Sequence, residues 1–575
     1  MNNKVNNFIL VLILLLASFL RLWKIDQNPV SLFGDEVDVG YQAYSILKTG
    51  KDYSGNAWPI HFQSLAEWRT PLYIYSAVPT IAIFGISTLG VRLPAAIFGI
   101  LGVLAFYLLI LEISNLKLAI IASFLLTVSP WHLQYSRAGF EVTLLLFLLL
   151  LGLYLFFKSL KEGKYLWISA ACFALSPWVY STAKFFTPLL LFFLLIVFRK
   201  EILKVSKKNL TFAFLAFVIF ATPITVSTIY GGGTQRFGYI SVFTDPTTEP
   251  EVGTARLRDA RMRGEMGEGL NPTFLDRVIH NKFTFWGGNV IRNYLQSFST
   301  DFLFIKGDSN PRHSIGIGEF YKIEAISLIL GLVFFLTKFK DKKIKLLIIF
   351  WILAGVIPSA ITRDGGNHAT RLILILLPLI FLITYGIVEG SRFLKGNIKK
   401  IFLVAYFGIW FLEIGNYLHT YYVHYPWDSE RWWHAGYKES IQTIKTIDID
   451  YDKIIISMAG EPAWIFFAGF YEYPPDKWHY WYDLKRPDGP LKKINIEGFG
   501  DISYLDKFYF GSPNLKAGLY DLGKVIDNKT LYLAVAKEIG ANLIMEPART
   551  PPDLKLLKTV AYPSGEPAFY IFAKR

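Results

Sequence analysis

Apolar runs of about 16–20 residues, the length that crosses a bilayer, recur along this chain between short lysine-rich loops. Lysine and arginine cluster at 158–164, 199–208, 338–345 and 392–400, and two apolar runs lie between successive clusters. Cytoplasmic loops carry such excess positive charge, so the clusters set the orientation. Spans are expected at Phe8–Leu20, Leu93–Leu111, Leu118–Val128 and Val142–Phe157, then at 166–180, 187–198, 210–229, 322–337, 346–361, 371–388 and 401–418. Parity demotes one further run, Pro71–Phe84, which is short and broken by Pro79, to the outer membrane surface. The pattern predicts an α-helical polytopic membrane protein of about eleven transmembrane helices, N-terminus cytoplasmic and C-terminus outside.

Three outer segments are then long enough to carry chemistry: 24–90, 230–321 (rich in Gly and Arg) and the tail 421–575. The tail is expected to be a small extracytoplasmic α/β or α+β domain following a membrane domain over 1–420. Its expected strands are Lys453–Ser457, Leu543–Met545 and Ala568–Ala573, and its expected helices Tyr437–Thr446 and Tyr532–Ile539.

Composition agrees. Hydrophobic residues make up 53% of the chain and mean hydropathy is +0.36. The net charge of +14 comes largely from the loop lysines, and no zinc pattern or basic-aromatic repeat supports a nucleic-acid partner. With Cys172 alone, no intrachain disulfide can form.

The candidate chemistry gathers in the outer loops. Gly34-Asp35-Glu36, with Asp38 close behind, puts three acids beside the membrane surface. Desolvation and like charge there would raise the pKa of Asp35 toward that of a working base. Asp35 also reads as the N-cap of a helix over Glu36–Leu47 closed by Gly50, and the two roles are compatible. Arg69, before Pro71, is either an interfacial anchor beside Trp68 or a bidentate phosphate ligand. Arg137 and Glu141, four apart, pair on one helix face or leave Glu141 free to line a site. Lys184 and Arg371 either snorkel or bind phosphate, and His368 stands beside Arg371 in sequence. Arg312-His313 offers a phosphate contact or one metal ligand. Acids to remove a proton and cations to hold a departing phosphate, all on one side of the bilayer, point to group transfer from a lipid phosphate. Trp432-Trp433-His434 faintly resembles the Trp-Trp-Asp motif of oligosaccharyltransferases, but His replaces the Asp.

Gly34-Asp35-Glu36, Arg69-Thr-Pro71-Leu-Tyr, Arg92-Leu-Pro-Ala-Ala-Ile-Phe-Gly99 and Ser129-Pro130 together resemble the GT-C membrane glycosyltransferases. More narrowly they resemble the dolichyl-phosphate-mannose protein mannosyltransferase-like group (glycosyltransferase family 39), which is similar to the bacterial aminoarabinose transferases. The resemblance implies a GT-C-type fold and an inverting transfer of a sugar from a polyprenyl-phosphate donor, outside the cytoplasm. The acceptor is a hydroxyl on a protein, lipid or glycan. It implies that Asp35 is the base, with Glu36 beside it and Glu141 as a second acid in the next outer loop. Arg69 is implied at the donor phosphate; Lys184, Arg312, His313 and Arg371 align approximately and are assigned with it. It also implies a prokaryotic plasma membrane. No cofactor is required by these residues, and a divalent metal stays open. The alternatives are a transporter or flippase of lipid-linked sugars, which would want mid-bilayer charges and related halves, and an oligosaccharide ligase.

Overall fold

The computed structural model of the protein describes residues 3–64, 67–267, 271–483, 486 and 489–575; residues 65–66 and 268–270 of the first two outer loops lie outside them. The chain is a multi-pass membrane protein. Helices cover all eleven expected spans. Seven are long and apolar enough to cross a membrane, and an eighth is a pair, Leu116–Val128 and Pro130–Ser136, bent by 59°. The count of eleven is therefore not established. The bend has a local cause: Pro130 drives Ser129 out of the helical region, to φ −58° and ψ 125°. The demoted run is a helix, Leu72–Phe84, of 13 residues. At ~20 Å it falls short of a ~30 Å hydrocarbon core.

The strands are β1 (Phe62–Gln63), β2 (Trp68–Arg69), β3 (Lys453–Ile456), β4 (Lys492–Ile496), β5 (Gly500–Leu505), β6 (Phe508–Phe510), β7 (Thr530–Val535), β8 (Leu554–Ala561) and β9 (Pro567–Lys574). The first two form a ribbon that pairs Phe62 with Arg69. The other seven form one mixed sheet in the order β4-β5-β6-β3-β7-β9-β8, with β3 parallel to both its neighbours.

Two expectations for the tail fail. The first half of the helix expected over Tyr532–Ile539 is instead strand β7, in which every residue is buried, and only Ala536–Glu538 forms a 3-10 turn. A strand covered on both faces reads as an unbroken apolar run, which periodicity cannot tell from a helix. The strand expected at Leu543–Met545 is a turn, because the Asn542 side chain accepts the amides of Ile544 and Met545. The expected helix at Tyr437 and the last strand are present.

The tail sheet does not stand apart from the segment 24–90. One apolar cluster runs from Leu32 to Ala95 and on through Tyr437 to Ala573. At its centre the tail helix Ala463–Tyr471 lies on the acidic helix Gly34–Thr49. Gly469 permits the approach: a Cβ there would stand 2.4 Å from Val37 Cγ1. Tyr41 also donates to the Tyr473 carbonyl at 2.8 Å.

Candidate active site

The acidic helix begins two residues earlier than the capping argument expects. Phe33, in extended backbone, is the N-cap, and Asp35 and Glu36 lie in the first turn, where the helix dipole favours negative charge. Asp35 therefore does not cap. Gly50 closes the helix at φ 69°, as the sequence indicates.

Freed from capping, Asp35 turns to the ribbon. Its Oδ1 is 2.7 Å from Arg69 Nη2, with the Asp35 side chain 51% exposed and Arg69 13%. The burial expected at Asp35 is found instead at Asp38, which accepts from Tyr53 and Ser64 at 2.9 Å each and lies 3.5 Å from Arg69 Nε. Burial raises the Asp38 carboxyl to about 6, against the pull of Arg69. Burial also opposes the charge of Arg69, but Asp35, Asp38 and Glu67 more than offset it and keep the guanidinium protonated.

From Arg69 the charges continue in a line. Glu67 Oε1 is 3.8 Å from Arg69 Nε and 2.7 Å from Arg236 Nη1. Glu141 lies in the field of Arg69, Arg236 and Asp35, and burial holds its carboxyl above the usual range. Arg236 then lines a cavity of about 260 Å³ together with Lys184 and Arg371, walled by Phe185, Phe237 and Pro358. Arg371 is held by Asp364 at 2.6 Å and Thr362 at 2.8 Å. Lys184 rests on His61 Nε2 at 3.1 Å and the Gly233 carbonyl at 3.4 Å, and among the described residues no carboxylate pairs with it. Burial, with Lys184 beside it, lowers His61 to about 4, so the ring is neutral and can accept from the ammonium. Three cations in an apolar pocket suit a phosphate carried on a hydrocarbon chain.

The other predicted residues are placed elsewhere. Glu36 is buried completely: Arg92 binds it through Nε at 2.7 Å and Nη2 at 2.9 Å, and the Gly139 amide donates at 2.7 Å. With both oxygens occupied, Glu36 anchors the acidic helix and does not face a substrate. Arg137 does not pair with Glu141; it is buried and donates to the carbonyls of Leu20 and Asn28 and to the Tyr421 hydroxyl. Arg312 leaves the cation cavity aside and stacks over Phe33, 4.9 Å from the ring centroid. His313 bonds Asp308 at 2.8 Å, and its ring lies 4.9 Å from that of His368.

Sequence reasoning missed Arg236 and His61, and set aside the Trp432–His434 stretch. Trp433 is buried between Phe33, at 5.3 Å, and the Arg92 guanidinium, at 5.3 Å. The tail thus buttresses the acidic helix from behind. Arg236 had a signal, since it follows Gly231-Gly-Gly where an apolar run ends on the side expected to be outer; His61 had none.

Residues 69–225 match the family described as Dolichyl-phosphate-mannose-protein mannosyltransferase. Arg69, Glu141 and Lys184 fall inside this match; Asp35, Arg236 and Arg371 do not. Two curated proteins are similar over part of the chain. "Putative mannosyltransferase YkcB" of Bacillus subtilis is 30% identical over 170 residues, which are 29% of this chain and 23% of that protein. "Dolichyl-phosphooligosaccharide-protein glycotransferase 2" of Pyrococcus horikoshii is 29% identical over 147 residues, 23% of this chain and 18% of that protein. The match thus spans less than a quarter of either relative's length. Among solved structures, ArnT from Cupriavidus metallidurans bound to undecaprenyl phosphate overlaps 99% of this chain and 98% of its own at 10% identity, with a TM-score of 0.49. The Archaeoglobus fulgidus oligosaccharyltransferase overlaps 82% of this chain and 63% of its own at 14% identity, with a TM-score of 0.47. Both overlaps are too loose to bear on the site. The resemblance carried by the motifs is found again in the family match: over residues 69–225 this chain is similar to the dolichyl-phosphate-mannose protein mannosyltransferases, among the GT-C membrane glycosyltransferases.

Proposed function

We propose that the protein is an inverting glycosyltransferase that moves a sugar from a polyprenyl-phosphate donor to an acceptor hydroxyl at the outer face of a prokaryotic plasma membrane. The observation that carries this reading is the continuous line of charge from Asp35 through Arg69, Glu67 and Arg236 into the cavity of Lys184 and Arg371. The cavity seats the phosphate and its apolar walls take the first isoprene units. Arg69 turns from Asp35 toward the phosphate, which frees the carboxylate. The acceptor oxygen bonds to the anomeric carbon as the carbon–phosphate oxygen bond breaks, and that electron pair leaves on the phosphate. Asp35 takes the acceptor proton, and the cations balance the charge that grows on the leaving group, usually the larger contribution. Glu141 and Glu67 orient the arginines. The membrane part, 1–420, holds the donor, and the tail, 421–575, backs the acidic helix and adds to acceptor binding.

Purified Asp35→Asn and Arg69→Ala proteins, given polyprenyl-phosphate sugars and a hydroxyl acceptor, should each lose transfer by about 10²–10⁴-fold. Near wild-type rates in both would refute the assignment.

A further inference from the structure

We infer that Asp308, His313 and His368 form a binding site for a divalent transition-metal ion of the zinc type, separate from the line of charge at Asp35. A carboxylate oxygen and one nitrogen from each imidazole lie within 4.8 Å of one another. Two imidazoles and a carboxylate are the donor set that zinc and its neighbours take up, and three protein ligands leave a coordination position open. An ion with bonds of ~2.1 Å in a tetrahedral array would set its donors ~3.4 Å apart, a spacing that side-chain rotation can supply.

A second, independent observation points to a ligand. His368 Nδ1 is buried and has no hydrogen-bond partner among the described residues. An imidazole nitrogen left bare in the interior is costly, and native structures rarely keep one without use. The remaining groups are already oriented. Asp308 is held by the amides of Asn310 and Ala369 at 2.8 Å each, and its own Oδ2 fixes the His313 ring at Nδ1. Two of the proposed donors thus already lie side by side, and an ion bound there would replace the proton they share. Glu319, also buried, accepts the Asp308 amide at 3.1 Å and puts a second carboxylate beside the cluster.

The site would reinforce the link between two segments already tied by the Asp308–Ala369 hydrogen bond, the loop carrying Arg312 and the start of the helix Ala369–Phe393. The ion would fix Arg371 at the cation cavity, three residues past His368, and Arg312 on the Phe33 ring. None of the three ligands belongs to the proposed transfer chemistry, so metal binding stands or falls separately from that activity.

The test uses the full-length protein in detergent, with any affinity tag removed, stripped by a chelator and titrated with Co²⁺. One equivalent per chain should bind, give visible d–d absorption and be displaced by Zn²⁺. His313→Gln and His368→Gln should each weaken binding at least about 100-fold, whereas His61→Gln should keep the full equivalent. Absence of d–d absorption in the wild type, or full binding in both cluster variants, would overturn the site. Zinc-edge X-ray absorption of the wild-type protein decides the matter if those variants do not fold: a shell containing imidazole nitrogen supports it, and an all-oxygen shell overturns it.

Discussion

Glu36 and Asp35 are neighbours in the chain, yet the structure gives them opposite work, and replacing each by its amide should separate the two. Glu36 and Arg92 are both fully buried. Three N–H donors converge on the Glu36 carboxylate, from Arg92 Nε, Arg92 Nη2 and the Gly139 amide. Glu36→Gln keeps the shape but leaves one carbonyl oxygen to face them, and its own amide hydrogens point at other donors. Arg92 then stays buried with the carbonyls of Pro29, Ser31 and Ile25 and the Trp433 ring as its remaining partners. Breaking such a pair from one side costs about 3–5 kcal/mol. That is a large part of a typical folding free energy of roughly 5–15 kcal/mol. At ~2 °C per kcal/mol or somewhat less for a chain this long, the thermal midpoint should fall by roughly 6–10 °C. Retention of the monodisperse peak on size exclusion after heating reads this directly. Asp35→Asn, whose side chain is half exposed, should change the midpoint by no more than about 1 kcal/mol would. A double change, Glu36→Leu with Arg92→Met, should recover most of the loss, since an apolar pair of similar volume is often no worse than a buried ion pair. A Glu36→Gln protein as heat-stable as wild type yet dead in transfer would sink the reasoning and return Glu36 to the chemistry.

Three further outcomes follow from the same geometry. Arg236→Ala removes a charged partner from the cavity, so affinity for free polyprenyl phosphate should drop by about 10–100-fold; unchanged binding in a folded variant would exclude the cavity as the phosphate seat. Asp38 is raised from 3.8 to about 6 by burial, so the folded state holds its proton more tightly, and up to ~3 kcal/mol of stability is lost as pH climbs from about 4 to 6. The thermal midpoint of wild type minus that of Asp38→Asn should accordingly fall across that window, and a flat difference would mean that Asp38 does not titrate there. Gly469→Ala places a Cβ 2.4 Å from Val37 Cγ1, so the tail helix must move off the acidic helix at a cost of about 1–3 kcal/mol; faster limited proteolysis between the last apolar helix and the tail should report it, and undiminished resistance would show that the contact does not matter.

Hydropathy and lysine placement, read along the chain, located a helix at each of the eleven expected spans and the short one at Leu72–Phe84, because burial in lipid or against other helices imposes a long apolar pattern on the sequence itself. The same reading placed Asp35 and Arg69 in one outer loop, and Lys184 and Arg371 on the same face. Which acid faces solvent and which is locked away was beyond it. Asp35 and Glu36 differ by one residue, about 100° around a helix, and only the packing of Arg92 on Trp433, which rests in turn on Phe33, decides which of them turns inward. Strand β7 was misread for a related reason: both its faces are covered, so the alternation that marks a strand is erased. Arg236 joins Lys184 and Arg371 across wide gaps in the chain, and His368 meets Asp308 and His313 likewise. Sequence states which side chains are available on one side of a membrane; it cannot state distances between loops, because those are set by how apolar surfaces far apart in the chain close on one another.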